Sequence, residues 1–99
     1  MTRIELAPEV LDDFDRFFDY IEQHDPSSAP QRIGAIVDAI QILSHSPHIG
    51  RPVAGGMREL VIGQGAHGYV ALYHYVAALD TVFVLAVRSQ REDGFKREG

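Results

Sequence analysis

The chain has 99 residues and a mass of 11.0 kDa, which is the size of a single small domain. With 45% hydrophobic and 23% charged residues it is too apolar to be intrinsically disordered, and the absence of cysteine excludes a disulfide scaffold, a thiolate zinc site and a cysteine nucleophile. Its formal net charge of −5 argues against general affinity for nucleic acid, because such affinity comes from a basic surface that neutralises phosphates.

The amino terminus carries no recognisable targeting signal. Its first residues reach Pro8 and Glu9 before an apolar core of signal-peptide length can form. No stretch approaches the roughly 18 apolar residues that a membrane-spanning helix needs. We therefore expect a cytoplasmic protein that does not bind membranes.

The first predicted element is a short strand from Thr2 to Leu6, because polar and apolar side chains alternate there. Ile4 and Leu6 would face a core. Pro8 ends this strand and fits the first turn of a helix, where its missing N–H costs nothing, although Ala7 is a poor N-cap.

The first helix is predicted from an apolar stripe at steps of three and four residues. The stripe comprises Val10, Phe14, Phe17 and Ile21, and is widened by Leu11 and Phe18. A second face is acidic, with Asp12, Asp15, Asp19 and Glu22. Such a run of carboxylates is more often a solvated face than a docking site for a basic partner.

The second helix follows a turn cluster at residues 24–30, which offers two start sites, one at Asp25 and one at Ser28. Its apolar stripe comprises Ile33, Ile36, Val37, Ile40 and Leu43. The helix is predicted to end near Ser44 and His45. Because the link between the helices is short, they should form an antiparallel hairpin.

After a connector rich in proline and glycine at residues 46–56, three strands are predicted at 57–62, 69–76 and 81–87. A glycine-rich loop at residues 63–68 joins the first two, and the short links indicate an antiparallel meander. The third strand is apolar at nearly every position, so both its faces should be buried. The helices cover one face of the sheet, and a partner chain or a second copy would cover the other.

The candidate functional residues are arginines grouped around the meander and accompanied by aromatic side chains. They are Arg51, Arg58, Arg88 and Arg91, with Tyr69, Tyr73, His67 and His74. Guanidinium groups can bind phosphate and aromatic rings can stack on bases, as an RNA-binding or RNA-cleaving surface requires. On composition alone the favoured alternative is that these arginines form rim ion pairs with Glu59, Asp80, Glu92 and Asp93.

Other chemistry has less support. The five histidines match no zinc spacing, and the serines lack the context of a hydrolase triad, so we expect no metal and no cofactor.

Several motifs occur in a characteristic order along essentially the whole chain. They are Ala-Pro-Glu at 7–9, the helix end and connector at 42–52, Met-Arg-Glu-Leu-Val-Ile at 57–62, Gly-Tyr-Val-Ala-Leu-Tyr at 68–73, and Val-Leu-Ala-Val-Arg-Ser-Gln-Arg-Glu at 84–92. As a set they resemble the RelE/ParE superfamily of bacterial type II toxin–antitoxin toxins. The Pro-x-x-Gly-Arg-Pro connector and the Arg-Glu-Leu strand are most similar to the ParE, or plasmid-stabilisation, group.

This resemblance implies a single α+β domain over residues 1–99, with a strand, a helical hairpin and a three-stranded antiparallel meander. It also implies a partner, because such toxins are neutralised by a small antitoxin whose C-terminal segment wraps the toxin. A homodimer or a heterotetramer with the antitoxin is compatible with it.

The activity implied by the resemblance depends on the branch. RelE-like members cleave messenger RNA on the ribosome and are usually strongly basic, whereas this chain is acidic and has Val70 where they commonly place an arginine. ParE-like members bind and poison DNA gyrase without a catalytic constellation, and we prefer this interpretation. A third alternative is a degenerate, non-toxic module that binds only its antitoxin, because Ser89 stands where many ParE-like sequences have histidine.

The interpretations assign different roles to the candidate residues. If the chain is ParE-like, the residues that contact antitoxin or target are Arg58, Tyr69, Tyr73, Arg88, Arg91 and Phe95. In that case Arg51 braces the connector. If the chain is a ribonuclease, which would then bind nucleic acid directly, the catalytic set is Arg58, His67, His74 and Arg91.

Overall fold

A computed structural model describes residues 1–63, 68–92, 94 and 95. The helices and strands are β1 (Arg3–Leu6), α1 (Pro8–His24), α2 (Ala29–Gln41), β2 (Arg51–Pro52), β3 (Arg58–Ile62), β4 (Tyr69–Val76) and β5 (Thr81–Ser89). The five strands form one sheet in the order β1-β5-β4-β3-β2. The predicted α+β fold, with its amino-terminal strand, two helices and meander, is confirmed.

The sheet is mixed and has one more strand than predicted. Strands β3, β4 and β5 pair antiparallel, as expected for a meander, and β1 lies parallel to β5. Within the proline- and glycine-rich connector, where no strand was predicted, Arg51–Pro52 pairs antiparallel with β3. Proline is tolerated there because β2 is an edge strand, where one row of backbone groups needs no partner.

Helix α1 begins at Pro8, and Ala7 provides no side-chain cap, as predicted. In its apolar stripe, Val10, Phe17 and Ile21 are fully or almost fully buried. Leu11 and Phe18 were expected to widen this stripe, but they are 58% and 38% exposed. A helix that packs against one layer buries only one face, and these two positions lie at the edge of that face, where they are exposed to solvent.

The prediction that both Ile4 and Leu6 face the core is wrong for Leu6, because β1 is an edge strand. Ile4 packs against the core as expected, but Leu6 is 40% exposed. Strand β1 has a neighbour on one side only, since it pairs with β5 at the end of the sheet.

The turn between the helices uses both predicted start sites in part. A 3-10 turn at Pro26–Ser28 follows Asp25, and α2 begins after Ser28. The Ser28 hydroxyl donates a hydrogen bond to the Asp25 carbonyl (3.1 Å) and does not cap the helix. Helix α2 ends at Gln41, and a 3-10 turn at Ile42–Ser44 follows it, close to the predicted end.

The core lies between the helices and one face of the sheet. The buried residues from the helices and the turn after α2 are Val10, Phe17, Ile36, Ile40 and Leu43, and those from the sheet are Ile62, Tyr69, Ala71, Tyr73, Val82, Val84 and Val87. The sheet therefore turns Tyr69 and Tyr73 inward, which resolves an orientation that the sequence left open. Every residue of β5 is buried or half-buried, as predicted for this strand.

The opposite face of the sheet carries the alternate residues of each strand. On β4 these include Val70, which is buried, and His74, which is exposed. On β3 this face carries Val61, which is 57% exposed. In the part of the chain that the structure describes, no helix is long and apolar enough to cross a membrane.

Candidate functional site

The connector between α2 and β3 is fixed by a buried tyrosine. Tyr73 is fully buried; its hydroxyl donates a hydrogen bond to the Pro47 carbonyl (2.9 Å) and accepts one from the Gly50 N–H (2.8 Å). Desolvation by burial raises the pKa of Tyr73 above its ordinary value. In this structure Tyr73 faces the core and the connector, so it offers a partner no surface.

Arg58 supports the same connector from β3, where it is paired with Tyr73 in the strand register. Its guanidinium donates hydrogen bonds to the carbonyl oxygens of His48 (3.1 Å) and Gly50 (2.8 Å). Among the described residues, no carboxylate lies within ion-pair distance of Arg58. This guanidinium therefore binds backbone oxygens and holds the connector in place.

One of the expected rim ion pairs is present. Arg51 on β2 pairs with Glu59 on β3, which joins the two strands through their side chains as well as their backbones. The Arg51 side chain is 70% exposed, so this pair contributes little stability by itself.

The structure does not bring together the three candidate ribonuclease residues that it describes, Arg58, His74 and Arg91. Arg58 lies on the helix-covered face, whereas His74 is exposed on the other face, opposite Phe83. Arg91 follows the far end of β5, where Ser89 pairs with Tyr69. Since Tyr69 and Tyr73 are four residues apart on one strand, Arg91 and Arg58 are separated by roughly 13 Å of sheet.

The remaining member of that set, His67, lies outside the described residues. Within the described ranges, no three His, Asp or Glu side chains are placed to hold a metal ion.

Two predicted contact residues, Arg88 and Phe95, lie against each other near the end of β5, and a third, Arg91, follows Arg88 by three residues. Arg88 is half-buried; its guanidinium carbon lies 5.3 Å from the centre of the Phe95 ring, and it donates long hydrogen bonds to the carbonyls of Ser89 and Glu92 (3.4 and 3.5 Å). Arg91 is exposed and lies 3.8 Å above the ring of Tyr20 on α1. This end therefore presents two arginines supported by aromatic rings.

Tyr69 lines a cleft at the same end of the sheet. The tyrosine is 3% exposed, with its ring 4.9 Å from that of Phe17, and its hydroxyl accepts a hydrogen bond from Arg32 (3.5 Å). The cleft has a volume of about 340 Å³ and is lined by Arg32, Ala35, Ile36, Ala39, Ile62, Gly63 and Tyr69. Sequence reasoning missed it; the available signal was the small residues Ala35 and Ala39 beside the apolar stripe of α2.

Sequence reasoning also missed a buried ionic network between α1 and β5. Asp13 is 1% exposed; one carboxylate oxygen accepts a hydrogen bond from the Val87 N–H and the other from Arg16, both at 2.9 Å. Arg16 also forms an ion pair with Glu92 (3.1 Å). The sequence does contain a sign of this network. Asp13 lies between Val10 and Phe17 on the buried stripe of α1, and Arg16, a possible ion-pair partner, follows it by three residues.

A second carboxylate organises the opposite end of the sheet. Asp80 adopts a left-handed backbone conformation (φ 45°) in the β4–β5 turn. One of its carboxylate oxygens accepts hydrogen bonds from the hydroxyls of Thr2 (2.7 Å) and Tyr75 (2.9 Å). These two donors stabilise the charged form, so the pKa of Asp80 is lowered. The same bond to Asp80 raises the pKa of Tyr75.

Comparison with known proteins gives a consistent family assignment. Residues 4–94 match the model of the ParE toxin of the type II toxin–antitoxin system parDE. Toxin RelE3 of Caulobacter vibrioides is 30% identical over 92 residues, which cover 93% of this chain and 98% of that protein.

Two solved toxin–antitoxin structures have a similar fold. A chromosomal ParDE toxin–antitoxin system from P. aeruginosa superimposes with a TM-score of 0.76 at 18% identity, covering 90% of this chain and 96% of the other. The intact E. coli RelBE toxin–antitoxin complex gives a TM-score of 0.62 at 14% identity, covering 93% and 100%. At these identities the likeness concerns the fold.

Proposed function

Because the chain belongs to the ParE toxin family of type II toxin–antitoxin systems, we propose that it stops bacterial growth by binding DNA gyrase and that a cognate antitoxin neutralises it. Membership of the family makes it a toxin of the ParE/RelE superfamily. The target and the antitoxin partner are what the proposal adds. The arrangement of the candidate residues supports both.

The observation that carries the gyrase proposal is the separation of the possible catalytic groups. General acid–base cleavage of RNA needs a proton donor and acceptor within hydrogen-bond reach of the same phosphodiester. Arg58 binds the carbonyls of His48 and Gly50, whereas His74 lies on the opposite face of the sheet. The described residues thus support a toxin that acts by binding.

The surface that we assign to the target is the end with Arg88, Arg91 and Phe95. Arg91 is exposed, and its guanidinium is held over Tyr20, so it is presented in a fixed position. Two cations three residues apart, in a chain of net charge −5, would favour an acidic patch on the target. Arg58 and Tyr73 then act indirectly, by holding the connector.

The surface that we assign to the antitoxin is the cleft beside α2. It is mostly apolar, and Arg32 at its rim has no ion-pair partner among the described residues. An antitoxin segment with an apolar side chain and a nearby carboxylate would fill the cleft and pair with Arg32. The resolved complexes of the structural relatives, ParDE and RelBE, are toxin–antitoxin systems, which supports a partner of this class.

The test is a short induction of the chain alone in bacteria, with transcript 5′ ends mapped and a DNA-damage reporter measured. The proposal predicts growth arrest, induction of the reporter and no new transcript ends. Arrest with new ends inside coding regions would contradict it and favour the ribonuclease. Absence of arrest would favour a degenerate module that binds only its antitoxin.

A matched pair of arginine variants tests whether growth arrest depends on the surface that we assign to the target. Arg91→Ala should relieve growth arrest, because it removes an exposed, positioned cation. Arg3→Ala is the control, since Arg3 is also an exposed arginine but lies on β1 and pairs with Glu5. Equal toxicity of both variants would remove Arg91 from the target surface.

A further inference from the structure

The carboxylate of Glu92 joins the turn that follows β5 to α1. The Glu92 N–H donates a hydrogen bond to the Ser89 carbonyl (3.1 Å), and the Glu92 carboxylate accepts one from the Ser89 N–H (3.1 Å), so backbone and side chain of Glu92 together close a turn over residues 89–92. The same carboxylate forms an ion pair with Arg16 on α1 (3.1 Å). Glu92 thereby connects the first helix to the end of the last strand.

This connection is shielded from solvent. The side chains of Glu92 and Arg16 are 17% and 34% exposed, and that of Asp13 on the other side of Arg16 is 1% exposed. One guanidinium thus lies between two carboxylates. Because shielding lowers the effective dielectric constant, the charges of this pair attract more strongly than those of a pair exposed on both sides, such as Arg3–Glu5.

Both arginines assigned to the target lie at this turn: Arg88 is at the end of β5, directly before the turn, and Arg91 is within it. Arg88 donates hydrogen bonds to the carbonyls of Ser89 and Glu92, the two ends of the turn that Glu92 closes. Arg91 directly precedes Glu92 and lies over Tyr20, which is four residues after Arg16 and so on the same face of α1. Arg16 and Tyr20 therefore bind consecutive parts of the turn.

We propose that Glu92 is a positioning residue, which fixes Arg88 and Arg91 for target binding by joining Arg16 to the Ser89 amide. The inference rests on the proposed function, in which these two arginines contact the target. Glu92 itself does not need to touch the target. Its carboxylate reduces the number of conformations of the turn before binding, and so reduces the entropy that binding costs.

The test uses Glu92→Gln, which keeps the size of the side chain but removes its charge. Protein made by cell-free synthesis is assayed for inhibition of gyrase supercoiling and for thermal unfolding. We expect inhibition to weaken about tenfold while the unfolding temperature changes little, because one segment and not the core is released. The control is Glu22→Gln on the exposed part of α1, which should inhibit like wild type.

A double variant separates positioning from general structural support. If Glu92 acts through Arg91, Glu92→Gln should add little to the loss already caused by Arg91→Ala, since coupled residues are not additive. Fully additive losses would overturn the positioning role. So would an equal loss of inhibition in Glu92→Gln and Glu22→Gln.

Amide hydrogen exchange tests the inference independently of the target. In Glu92→Ala, which removes the acceptor of the Ser89 N–H altogether, the Ser89 amide should exchange about tenfold faster than in wild type, while core amides such as Ala71 stay unchanged. Unchanged exchange at Ser89 would overturn the inference whatever the activity. Wild-type protein that leaves gyrase active would instead contradict the proposed function, and exchange would still decide the role of Glu92.

Discussion

The hydroxyl of Tyr73 and the backbone of Gly50 are in such close contact that a methyl group on Gly50 would lie 2.6 Å from the hydroxyl oxygen. The same methyl group would lie 2.9 Å from the carbonyl oxygen of Glu59. Glycine is thus required at this position by lack of space. This explains why the Gly-Arg-Pro part of the connector can lie against β3 and β4.

Gly50→Ala should destabilise the protein by about 2 kcal/mol, because the tyrosine or the connector must move to make room. The measurement is urea unfolding followed by circular dichroism. The matched control is Gly34→Ala in α2, where an added Cβ meets nothing within 4 Å. That variant should gain about 0.5–1 kcal/mol from helix propensity. Equal effects of the two substitutions would contradict the proposed steric requirement.

Tyr73→Phe should destabilise the protein by about 1–3 kcal/mol at neutral pH, because the Gly50 N–H and the Pro47 carbonyl lose their partner. Burial raises the Tyr73 pKa, so its stabilising effect is complete below pH 10 and decreases as the pH rises through the folded-state pKa. The difference between wild type and variant should therefore narrow at alkaline pH. Unfolding measured from pH 7 to 11 provides the check.

The control for this variant is Tyr75→Phe, which removes an exposed hydroxyl bonded to Asp80. It should cost less than Tyr73→Phe at pH 7. A larger cost at position 75, or a gap between wild type and Tyr73→Phe that widens above pH 10, would contradict the role given to the buried hydroxyl.

Asp13→Ala should destabilise the protein by about 2–4 kcal/mol, because it leaves the Val87 N–H without its acceptor and Arg16 without one of its two carboxylates. Asp12→Ala, at the neighbouring exposed position of α1, should stay within about 0.5 kcal/mol of wild type. Chemical unfolding of both variants is the measurement. Similar stability of the two would mean that the buried network contributes nothing.

Asp80→Asn tests the carboxylate in the β4–β5 turn. Its lowered pKa means that the stability it adds is present above pH 3.8 and is lost as the pH falls through the folded-state pKa. Asparagine tolerates the left-handed backbone, so the substitution changes mainly the charge. The stability difference from wild type should be largest near neutral pH and should vanish in acid. A difference that persists at pH 2 would indicate a backbone effect instead.

Much of the fold follows from local patterns in the sequence. Periods of 3.6 and 2 residues locate α1, α2 and the three strands of the meander, since an amphipathic element has one face to bury. The parallel pairing of β1 with β5 leaves no such trace, because it depends on contacts between residues about 78 positions apart. Strand β2 has two residues, too few for any period.

The candidate site was only partly predictable, for a related reason. Arg88, Arg91 and Phe95 are close in sequence, and the structure places Arg88 over the Phe95 ring. Sequence proximity could not reveal that Arg58 binds backbone oxygens of the connector, or that Asp13 and Glu92 share Arg16. The only sign of the shared Arg16 in the sequence was the position of Asp13, a charged residue on the apolar stripe of α1.

The most direct test of the account is a supercoiling assay with purified gyrase and increasing amounts of the chain, made by cell-free synthesis. If the chain is a gyrase-binding toxin, it should inhibit supercoiling, Arg91→Ala should inhibit more weakly, and Arg3→Ala should inhibit like wild type. Full gyrase activity at saturating protein, together with cleavage of messenger RNA on ribosomes, would contradict the account.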